Sequence, residues 1–399
     1  PTQLLSSGST SSDRRGTSAH VRQRLARSFT DVAKATMNAP ADAQQPARKH
    51  TTRVDPQAFV DFDTIIDVRS PAEYALDHVP GAINAPVLSD TERAEVGTLY
   101  KQVSPFAARK LGAALVSKNI AHHLQDLFVD RPRTWRPLVY CWRGGQRSGS
   151  MAHVLREVGW DAHSISGGYK AWRRYVIESL DKLPLTLRFQ VIHGPTGSGK
   201  SRLLRALRLQ HAQVLDLEAL AAHRGSVLGE EPGAAQPSQK MFESMLWDTL
   251  RQFNPARVVF VEGESKKIGQ LQVPDMLMEC MRRAACLRID AHRETRIQLL
   301  CEEYAHFFQE PAQLADRLQH LHALHGSTQI AEWHQLIHLR DWSTLVGSLL
   351  DHHYDAAYHR SSHHNYAQLN QAPTIQITQA TEAAFLSAAS QLSVAFNSP

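Results

Sequence analysis

One loop motif constrains the fold of this chain more than any other feature. The segment VIHGPTGSGKSRLL, residues 191–204, contains the complete pattern G-x-x-x-x-G-K-S. The apolar run before it predicts a strand and the LLRAL run after it predicts a helix, the context in which such a loop encircles a phosphate with backbone N–H groups. Lys200 would reach the outer phosphate oxygens. The predicted phosphate-binding residues are Gly194, Thr196, Gly197, Ser198, Gly199, Lys200 and Ser201.

Three carboxylates at predicted strand ends are candidates to complete this site. Glu262 and Glu264 end the run VVFVEGES, and Asp216 ends the preceding strand candidate. A carboxylate in this place would organise Mg²⁺ or a water molecule, and Ser201 could also hold Mg²⁺. Glu262 and Glu264 are preferred, with ordinary solvated strand ends as the alternative. No motif that reads guanine or adenine is evident, so a nucleotide and a non-nucleotide diphosphate both remain open as ligands.

A second loop places a cysteine in surroundings that favour an anion. Cys141 follows the strand candidate PLVYC and precedes a helix expected to begin near Ser148. Two glycines let backbone N–H groups turn inward, and the guanidinium groups of Arg143 and Arg147 add positive potential. These features would lower the pKa of Cys141 and suit an anionic persulfide or perselenide. The predicted catalytic residues are therefore Cys141, Arg143 and Arg147. A buried, inert cysteine is the alternative, and such core positions are predicted for Cys280, Cys286 and Cys301.

Short apolar runs alternating with amphipathic segments predict two α/β units with largely parallel sheets. Strands are expected at 63–68, 137–141, 189–193, 212–217, 256–262 and 284–290, and the sequence beyond about Glu294 is expected to be helical. The charged turn and proline of DKLPLTLR mark the boundary. We predict a disordered tail or extension at 1–52, a first domain at 53–182, and a P-loop domain with a helical C-terminal region at 183–399. Met37 is the preferred native start, which would make residues 1–36 an extension, and an organelle transit peptide is the alternative.

Composition and cysteine spacing argue against several classes of protein. No apolar run approaches the roughly 20 residues that span a bilayer, and no signal-peptide pattern is present. Four cysteines without a C-x-x-C pair indicate neither a disulfide framework nor a structural metal. The His352–His353 and His363–His364 pairs are not expected to bind metal, because neighbouring helical residues point about 100° apart.

The lack of a membrane span, a signal peptide and a disulfide framework leads us to expect a cytoplasmic protein without a membrane partner. The net charge of +5 resides in the first 50 residues, so overall charge does not indicate RNA binding.

The first domain resembles rhodanese domains. DVRSPAEYALDHVPGAIN, residues 67–84, is similar to their N-terminal signature, and CWRGGQRS, residues 141–148, to their active loop. In that family the strand end at Asp67 and Arg69 and the segment with Glu73 and His78 frame the site. The spacing of the loop is also C-x5-R, as in phosphatases of the same fold. Phosphatase chemistry therefore remains open, although Tyr140 replaces the usual phosphatase histidine.

The chain resembles the bacterial tRNA 2-selenouridine synthase family over nearly all of residues 56–370. The motifs that carry the resemblance are ERAEVGTLYKQVSPFAARKLGAALV, CWRGGQRSGS, ISGGYKAWRR, GPTGSGKSRLL, LDLEALAAHRGSVLG and VEGESKKIG. The resemblance implies replacement of sulfur by selenium at C2 of a 5-substituted 2-thiouridine in the tRNA wobble position, with selenophosphate as donor. It also implies S-geranylation with geranyl diphosphate. Implied partners are tRNA and a selenophosphate-supplying enzyme, and no tightly bound cofactor is expected.

Local basic groups are the candidate tRNA contacts, with ordinary surface solvation as the alternative. They are Lys170, Arg173, Arg174, Lys266, Lys267, Arg282 and Arg283, and Trp142 or Trp172 could stack a base. Two other function classes stay open. One is a rhodanese-type sulfurtransferase or phosphatase with a regulatory P-loop domain. The other is a P-loop NTPase or kinase with a rhodanese binding module.

Overall fold

The computed structural model describes residues 52–226, 228–230, 233–356, 358, 366 and 368–397. Pro1–Thr51 and Thr52–Pro399 are separate units, and the fold below is that of the second. The predictions for the N-terminal tail, for Met37 and for the His363–His364 pair lie outside the described residues.

Five parallel strands form the first sheet, in the order β1-β5-β4-β2-β3. The apolar runs predicted as strands supply its core, because Ile66 and Val139 are fully buried. The strands are β1 Arg53–Val54, β2 Thr64–Asp67, β3 Ile83–Asn84, β4 Pro137–Tyr140 and β5 His163–Ile165. Because β2 and β4 run parallel, their carboxyl ends meet at the same edge, and Cys141 follows β4 there.

Helices cover this sheet and begin at caps that the sequence supplies. Ser70 and Glu73 form a capping box at the first helix, which satisfies otherwise unpaired backbone N–H groups. The helix after Cys141 begins at Gln146, two residues before the predicted start at Ser148. The helices are α1 Pro71–Leu76, α2 Asp90–Gln102, α3 Pro105–Asp126, α4 Gln146–Val158 and α5 Gly168–Leu180, with a 3₁₀ helix at Pro56–Asp61.

A second parallel sheet has the order β12-β11-β6-β8-β7. Its strands are β6 Arg188–His193, β7 Gln213–Leu215, β8 Val258–Glu262, β11 Ala285–Ala291 and β12 Thr374–Ile377, and β9 Lys267–Ile268 and β10 Leu271–Gln272 form a separate antiparallel pair. The strands predicted here are present with small shifts at their ends, whereas β12 is not among the predicted strands. The central strand β6 leads directly into the phosphate loop, as the motif requires.

Helices surround the second sheet, and beyond β11 the described chain is mainly helical apart from β12. The helices are α6 Leu183–Thr186, α7 Lys200–Leu209, α8 Leu217–Ala221, α9 Gln239–Arg251, α10 Asp275–Arg283, α11 Arg293–Glu303, α12 Ala305–Gln309, α13 Pro311–Gln319, α14 His322–Leu339, α15 Trp342–Leu349 and α16 Glu382–Asn397. A π-helical turn covers Leu350–Tyr354 and a 3₁₀ helix covers Leu369–Gln371. The predicted α/β fold class with a helical C-terminal part is confirmed. Among the helices described, none combines the length and apolar character that a membrane crossing requires.

An aromatic cluster joins helices from the two parts of the fold. Trp172 in α5 meets Trp247 in α9 edge-on, with ring centroids 4.7 Å apart, and Phe59 contacts both rings. Arg173 forms an ion pair with Glu243 beside this cluster. The prediction that Trp172 could stack a base is wrong, because its ring is fully buried. The Arg173 side chain is mostly buried in its ion pair with Glu243. The two parts therefore share one core, and the boundary at residue 182 stays a prediction.

Candidate active site: a cysteine loop and a phosphate cleft

The Cys141 sulfur lies between β4 and α4 and accepts two hydrogen bonds. The Gly145 N–H donates to Sγ at 3.3 Å and the Ser148 hydroxyl donates at 3.2 Å. Burial, the largest influence, raises the pKa of Cys141, but these hydrogen bonds and the charge of Arg147 lower it below its ordinary value overall. The loop therefore favours a nucleophilic thiolate. Only 3% of the residue is exposed, so a large substrate needs a local opening to reach the sulfur.

Glycine is required where the loop curls against the start of α5. Gly144 has a φ of +63°, and a Cβ at this position would lie 2.6 Å from the carbonyl oxygen of Ile165. The N–H of Tyr169 donates to the carbonyl of Cys141 at 2.8 Å, and the N–H of Lys170 donates to the next carbonyl at 3.1 Å. These two hydrogen bonds connect the cysteine loop to the start of α5.

Of the two arginines predicted beside the sulfur, Arg147 is the one whose charge opposes the effect of burial and lowers the pKa of Cys141. Arg147 also forms an ion pair of 3.2 Å with Glu73. Burial raises the pKa of Glu73, but Arg147, Arg93 and the Ser70 N–H together lower it below its ordinary value. Arg143 is exposed. Nearby, Arg69 and Asp67 form a buried ion pair of 2.6 Å at the carboxyl end of β2.

Ser148 is a functional candidate that the sequence analysis missed, although it directly follows Arg147. Its side chain is fully buried and its hydroxyl points at the sulfur. We expect Ser148→Ala to slow alkylation of Cys141 by iodoacetamide at neutral pH roughly five- to tenfold, because a charge-assisted hydrogen bond to the thiolate is lost. The pH–rate profile should move to higher pH. The exposed neighbour Ser150→Ala is the control, and identical profiles for both variants would exclude the role given to Ser148.

The phosphate loop has the predicted shape between β6 and α7. Gly197 and Gly199 have φ values of +77° and +87°, which only glycine adopts without strain. The Lys200 Nζ donates to the carbonyl oxygen of Gly194 at 2.9 Å, so the ammonium group lies over the loop. Ser198 is fully buried, and its hydroxyl has no hydrogen-bond partner within the described part of the chain.

A cleft of about 390 Å³ opens above the loop. Its lining residues include six of the seven predicted phosphate-binding residues, all except Ser198, and one of the three predicted acids, Glu264. The lining is Gly194, Thr196, Gly197, Gly199, Lys200, Ser201, Glu218, Arg224, Gly225, Ser226, Gly263, Glu264, Ser265, Leu300, Glu303, Tyr304, His353, Tyr354 and Tyr358.

The acids arrange differently from the prediction. The Ser201 hydroxyl donates to Glu218 at 2.8 Å, and the Glu218 N–H donates to the Glu262 carboxylate at 2.8 Å. Glu218 was missed, although it lies two residues after Asp216. Asp216 caps α8 by accepting from the Ala219 N–H. Burial raises the pKa values of Glu262 and Glu218, and the charge of Asp216 contributes to both effects. The role of Asp216 in the site stays a prediction. Serving as a helix cap directs its carboxylate to the backbone of its own helix.

Burial makes this group of carboxylates reluctant to ionise. It raises the pKa of Glu264 to about 8 and that of Glu262 well above its ordinary value, and the neighbouring carboxylates add to both effects. Burial also raises the pKa of Glu218, whereas the charge of Lys200 opposes it. The second Glu262 oxygen is buried without a hydrogen-bond partner in the described structure. A cation bound together with a phosphate would offset the repulsion among these carboxylates and favour their ionised forms.

The oxygen ligands fit a phosphate-bound Mg²⁺ better than a cage made of protein alone. The described residues contain no group of three or more His, Cys, Asp or Glu side chains that could hold a metal ion. Mg²⁺ in phosphate sites uses one or two protein ligands together with phosphate and water. Ser201, Glu218 and Glu264 are the residues that would supply them, and the ion would neutralise phosphate charge there.

Arg296 is a further residue that the sequence analysis did not identify. Its guanidinium donates twice to the carbonyl oxygen of Thr196, at 3.0 and 2.8 Å, and it forms an ion pair with Asp355. These contacts fasten the phosphate loop to α11 and to the segment after α15. Arg296 is 100 positions from Thr196 in the chain, so no local motif could reveal the contact.

The basic residues among the predicted tRNA contacts lie in two segments of the chain, one in α5 and one from just before β9 to α10. Lys170 and Arg174 are exposed on α5, where Trp142 stacks on Tyr169 with centroids 5.2 Å apart beside the cysteine loop. Arg173 is paired with Glu243 as described above. The remaining residues lie away from that patch in the chain: Lys266 pairs with Asp275, Lys267 is exposed on β9, Arg282 is exposed on α10, and Arg283 pairs with Glu279.

Comparisons with known proteins match both parts of the fold. A family model described as "tRNA 2-selenouridine synthase AAA domain" matches residues 187–335, and one for the rhodanese-like domain matches residues 49–175. The tRNA 2-selenouridine synthases of Nitrosomonas europaea and Nitrosomonas eutropha are 40% and 38% identical over 62% and 60% of this chain. That of Psychromonas ingrahamii is 37% identical over 63% of this chain. The alignments cover 64%, 62% and 67% of the three relatives, so they span less than two thirds of the two Nitrosomonas proteins.

Proposed function

Because this chain belongs to the tRNA 2-selenouridine synthase family, we propose that it replaces sulfur by selenium at C2 of a wobble 5-substituted 2-thiouridine in tRNA. The observation that carries the proposal is the presence, in one described unit, of a cysteine loop with a lowered thiol pKa and a complete phosphate loop. Selenophosphate is the proposed selenium source, delivered by a separate enzyme, and the cytoplasm is the proposed location.

The phosphate cleft is assigned to geranyl diphosphate. The thiouridine sulfur attacks the allylic carbon, so that a carbon–sulfur bond forms while the carbon–oxygen bond breaks and diphosphate leaves with the electron pair. Lys200 and the loop N–H groups would take up the charge that develops on the leaving diphosphate. Mg²⁺ on Ser201 and Glu218 would neutralise further charge. The step turns a poor leaving group at C2 into a good one.

The cysteine loop is assigned to the selenium step. The Cys141 thiolate attacks C2, and the alkylated sulfur departs as a thiolate with its electron pair. The selenium of selenophosphate then attacks C2, the carbon–selenium bond forms, Cys141 leaves as a thiolate, and water cleaves the phosphorus–selenium bond to release phosphate. Cys141 is the proposed nucleophile, because the Gly145 N–H and the Ser148 hydroxyl stabilise its thiolate both as attacking group and as leaving group. Trp142, Lys170 and Arg174 are the proposed tRNA contacts at this loop, since an aromatic surface beside basic groups suits an unstacked base and its phosphates.

Mass spectrometry of tRNA nucleosides tests the proposal. Purified protein and tRNA that contains 2-thiouridine should yield an S-geranyl nucleoside with geranyl diphosphate alone. Addition of selenophosphate should convert it to the selenonucleoside. Unchanged nucleosides under both conditions would contradict the proposal.

A second candidate function follows from the ionisable thiol itself. Cys141, Arg147 and Ser148 could serve a small-molecule sulfurtransferase or a phosphatase whose P-loop domain regulates it. Rapid turnover of thiosulfate or an aryl phosphate without tRNA would favour that function over selenium transfer. Hydrolysis of ATP or GTP that requires Lys200 would instead favour a P-loop NTPase.

A further inference from the structure

A narrow apolar slot lies beside the phosphate cleft in the helical C-terminal part. Every residue of its wall is apolar or aromatic. The wall consists of Leu228, Leu300, Tyr304, Phe307, Phe308, Leu314, Leu345, Val346, Leu349 and Tyr354. Three of these residues, Leu300, Tyr304 and Tyr354, also line the phosphate cleft. The slot and the cleft are therefore neighbours with a common wall.

Local geometry holds that common wall against the phosphate loop. A Cβ at Gly197 would come within 2.8 Å of the Leu300 side chain, so the loop packs directly on α11. Tyr354 ends the π-helical turn Leu350–Tyr354. Such turns are rare in helices and often occur at functional sites, because they displace a side chain from the regular helical surface. Here the side chain that ends the turn stands between the polar cleft and the apolar slot.

The chemistry of the two compartments selects one kind of ligand. The cleft offers backbone N–H groups, Lys200 and carboxylates that suit a phosphate with Mg²⁺, whereas the slot offers no polar wall. A nucleoside would bring ribose hydroxyls and base edges into the slot and leave them without hydrogen bonds, which is costly. A hydrocarbon chain loses nothing there and gains from leaving water.

We propose that this slot binds the hydrocarbon tail of a diphosphate ester whose head occupies the phosphate loop, and that its size limits the length of the tail. The inference rests on the proposed function, because it names the residues that select the alkyl donor. The slot has a volume of about 30 Å³ against about 390 Å³ for the cleft. A branched chain must therefore move side chains apart to enter, and a longer chain must move more of them.

Calorimetric titration with three probes tests the slot: geranyl diphosphate, farnesyl diphosphate and inorganic pyrophosphate, each with Mg²⁺. The unaltered protein should bind geranyl diphosphate at least about tenfold more tightly than pyrophosphate, since only the former buries apolar surface. Val346→Phe places a ring at a slot position that does not line the phosphate cleft. This substitution should weaken the binding of geranyl diphosphate at least about tenfold and leave the affinity for pyrophosphate unchanged. Leu339→Phe is the matched control, because Leu339 is 64% exposed on the neighbouring helix α14.

A second variant, which enlarges the slot, tests the inference if Val346→Phe does not fold. Phe308 is partly buried in the slot wall and stacks on Trp342 at 4.5 Å. Phe308→Leu should shift the preference from the geranyl toward the farnesyl ester at least about threefold. The inference is overturned if geranyl diphosphate binds no better than pyrophosphate, or if either folded variant keeps the wild-type preference among the three probes. None of these titrations uses tRNA or selenium. If the protein transfers no selenium but its preference for geranyl diphosphate still depends on the slot residues, the proposed function is rejected and the inference about the slot stands.

Discussion

Cys141→Ser should abolish selenium incorporation into tRNA while S-geranylation continues. The serine hydroxyl stays protonated at neutral pH and is a poor nucleophile and leaving group. Burial raises the pKa of the Cys141 thiol, but Ser148, Gly145 and Arg147 lower it below its ordinary value overall. The phosphate cleft is lined by other residues. Nucleoside mass spectrometry should therefore show that the S-geranyl product accumulates and the selenonucleoside is lost.

Cys280→Ser is the matched control for this experiment. Cys280 is partly buried in α10, and burial, with a contribution from Glu279, raises the pKa of its thiol, so it lacks the features that activate Cys141. Selenium incorporation by this control should equal that of the unaltered protein. If Cys141→Ser still forms selenouridine, the cysteine loop is not the selenium site, and the phosphate cleft would have to support both steps.

The two loops could be predicted because each is encoded by contiguous residues. In both, a strand, a glycine-containing turn and a helix follow one another in the chain, and parallel sheets place such turns at the carboxyl edge. The sequence therefore predicted Lys200 above the phosphate loop and Cys141 after β4. Membership of the predicted family and the α/β fold class are both confirmed.

The errors arose where packing decides between similar local patterns. Trp172 sits in a basic, aromatic segment that resembles an RNA-binding surface, but it packs in the core on Trp247. Asp216 and Glu218 lie two residues apart, and only the start of α8 shows which carboxylate caps the helix and which faces Ser201. An amphipathic pattern shows that one face of a helix is buried without identifying its neighbour.

The apolar slot and Arg296 illustrate the same limit over longer distances. The slot brings together residues from 228 to 354, drawn from several helices and a connecting segment. Arg296 reaches the phosphate loop from α11 through carbonyl contacts that no motif describes. Such sites depend on how separate helices pack, and the chain records them only as ordinary apolar or charged positions.

Lys200→Ala should remove both the alkylation step and the selenium step that follows it. The Lys200 ammonium lies 2.9 Å from the Gly194 carbonyl, within the loop that would hold the diphosphate. Loss of a preorganised charge at a developing anion commonly costs about 100-fold or more in rate. The charge of Lys200 also opposes the rise in the pKa of Glu218 and Glu264, so its removal should leave these acids still harder to ionise and less able to hold Mg²⁺.

The readouts of this variant distinguish it from Cys141→Ser. Nucleoside mass spectrometry should detect neither product above about 1% of the wild-type rate, while iodoacetamide should alkylate Cys141 at an unchanged rate because the cysteine loop is intact. Lys101→Ala, at an exposed position in α2, should behave as the unaltered protein. Selenium incorporation by Lys200→Ala without geranyl diphosphate would mean that the thiouridine sulfur leaves without prior alkylation, and that the phosphate loop serves another ligand. If geranylation is lost and pre-geranylated tRNA still accepts selenium, the two loops act in succession on one nucleoside.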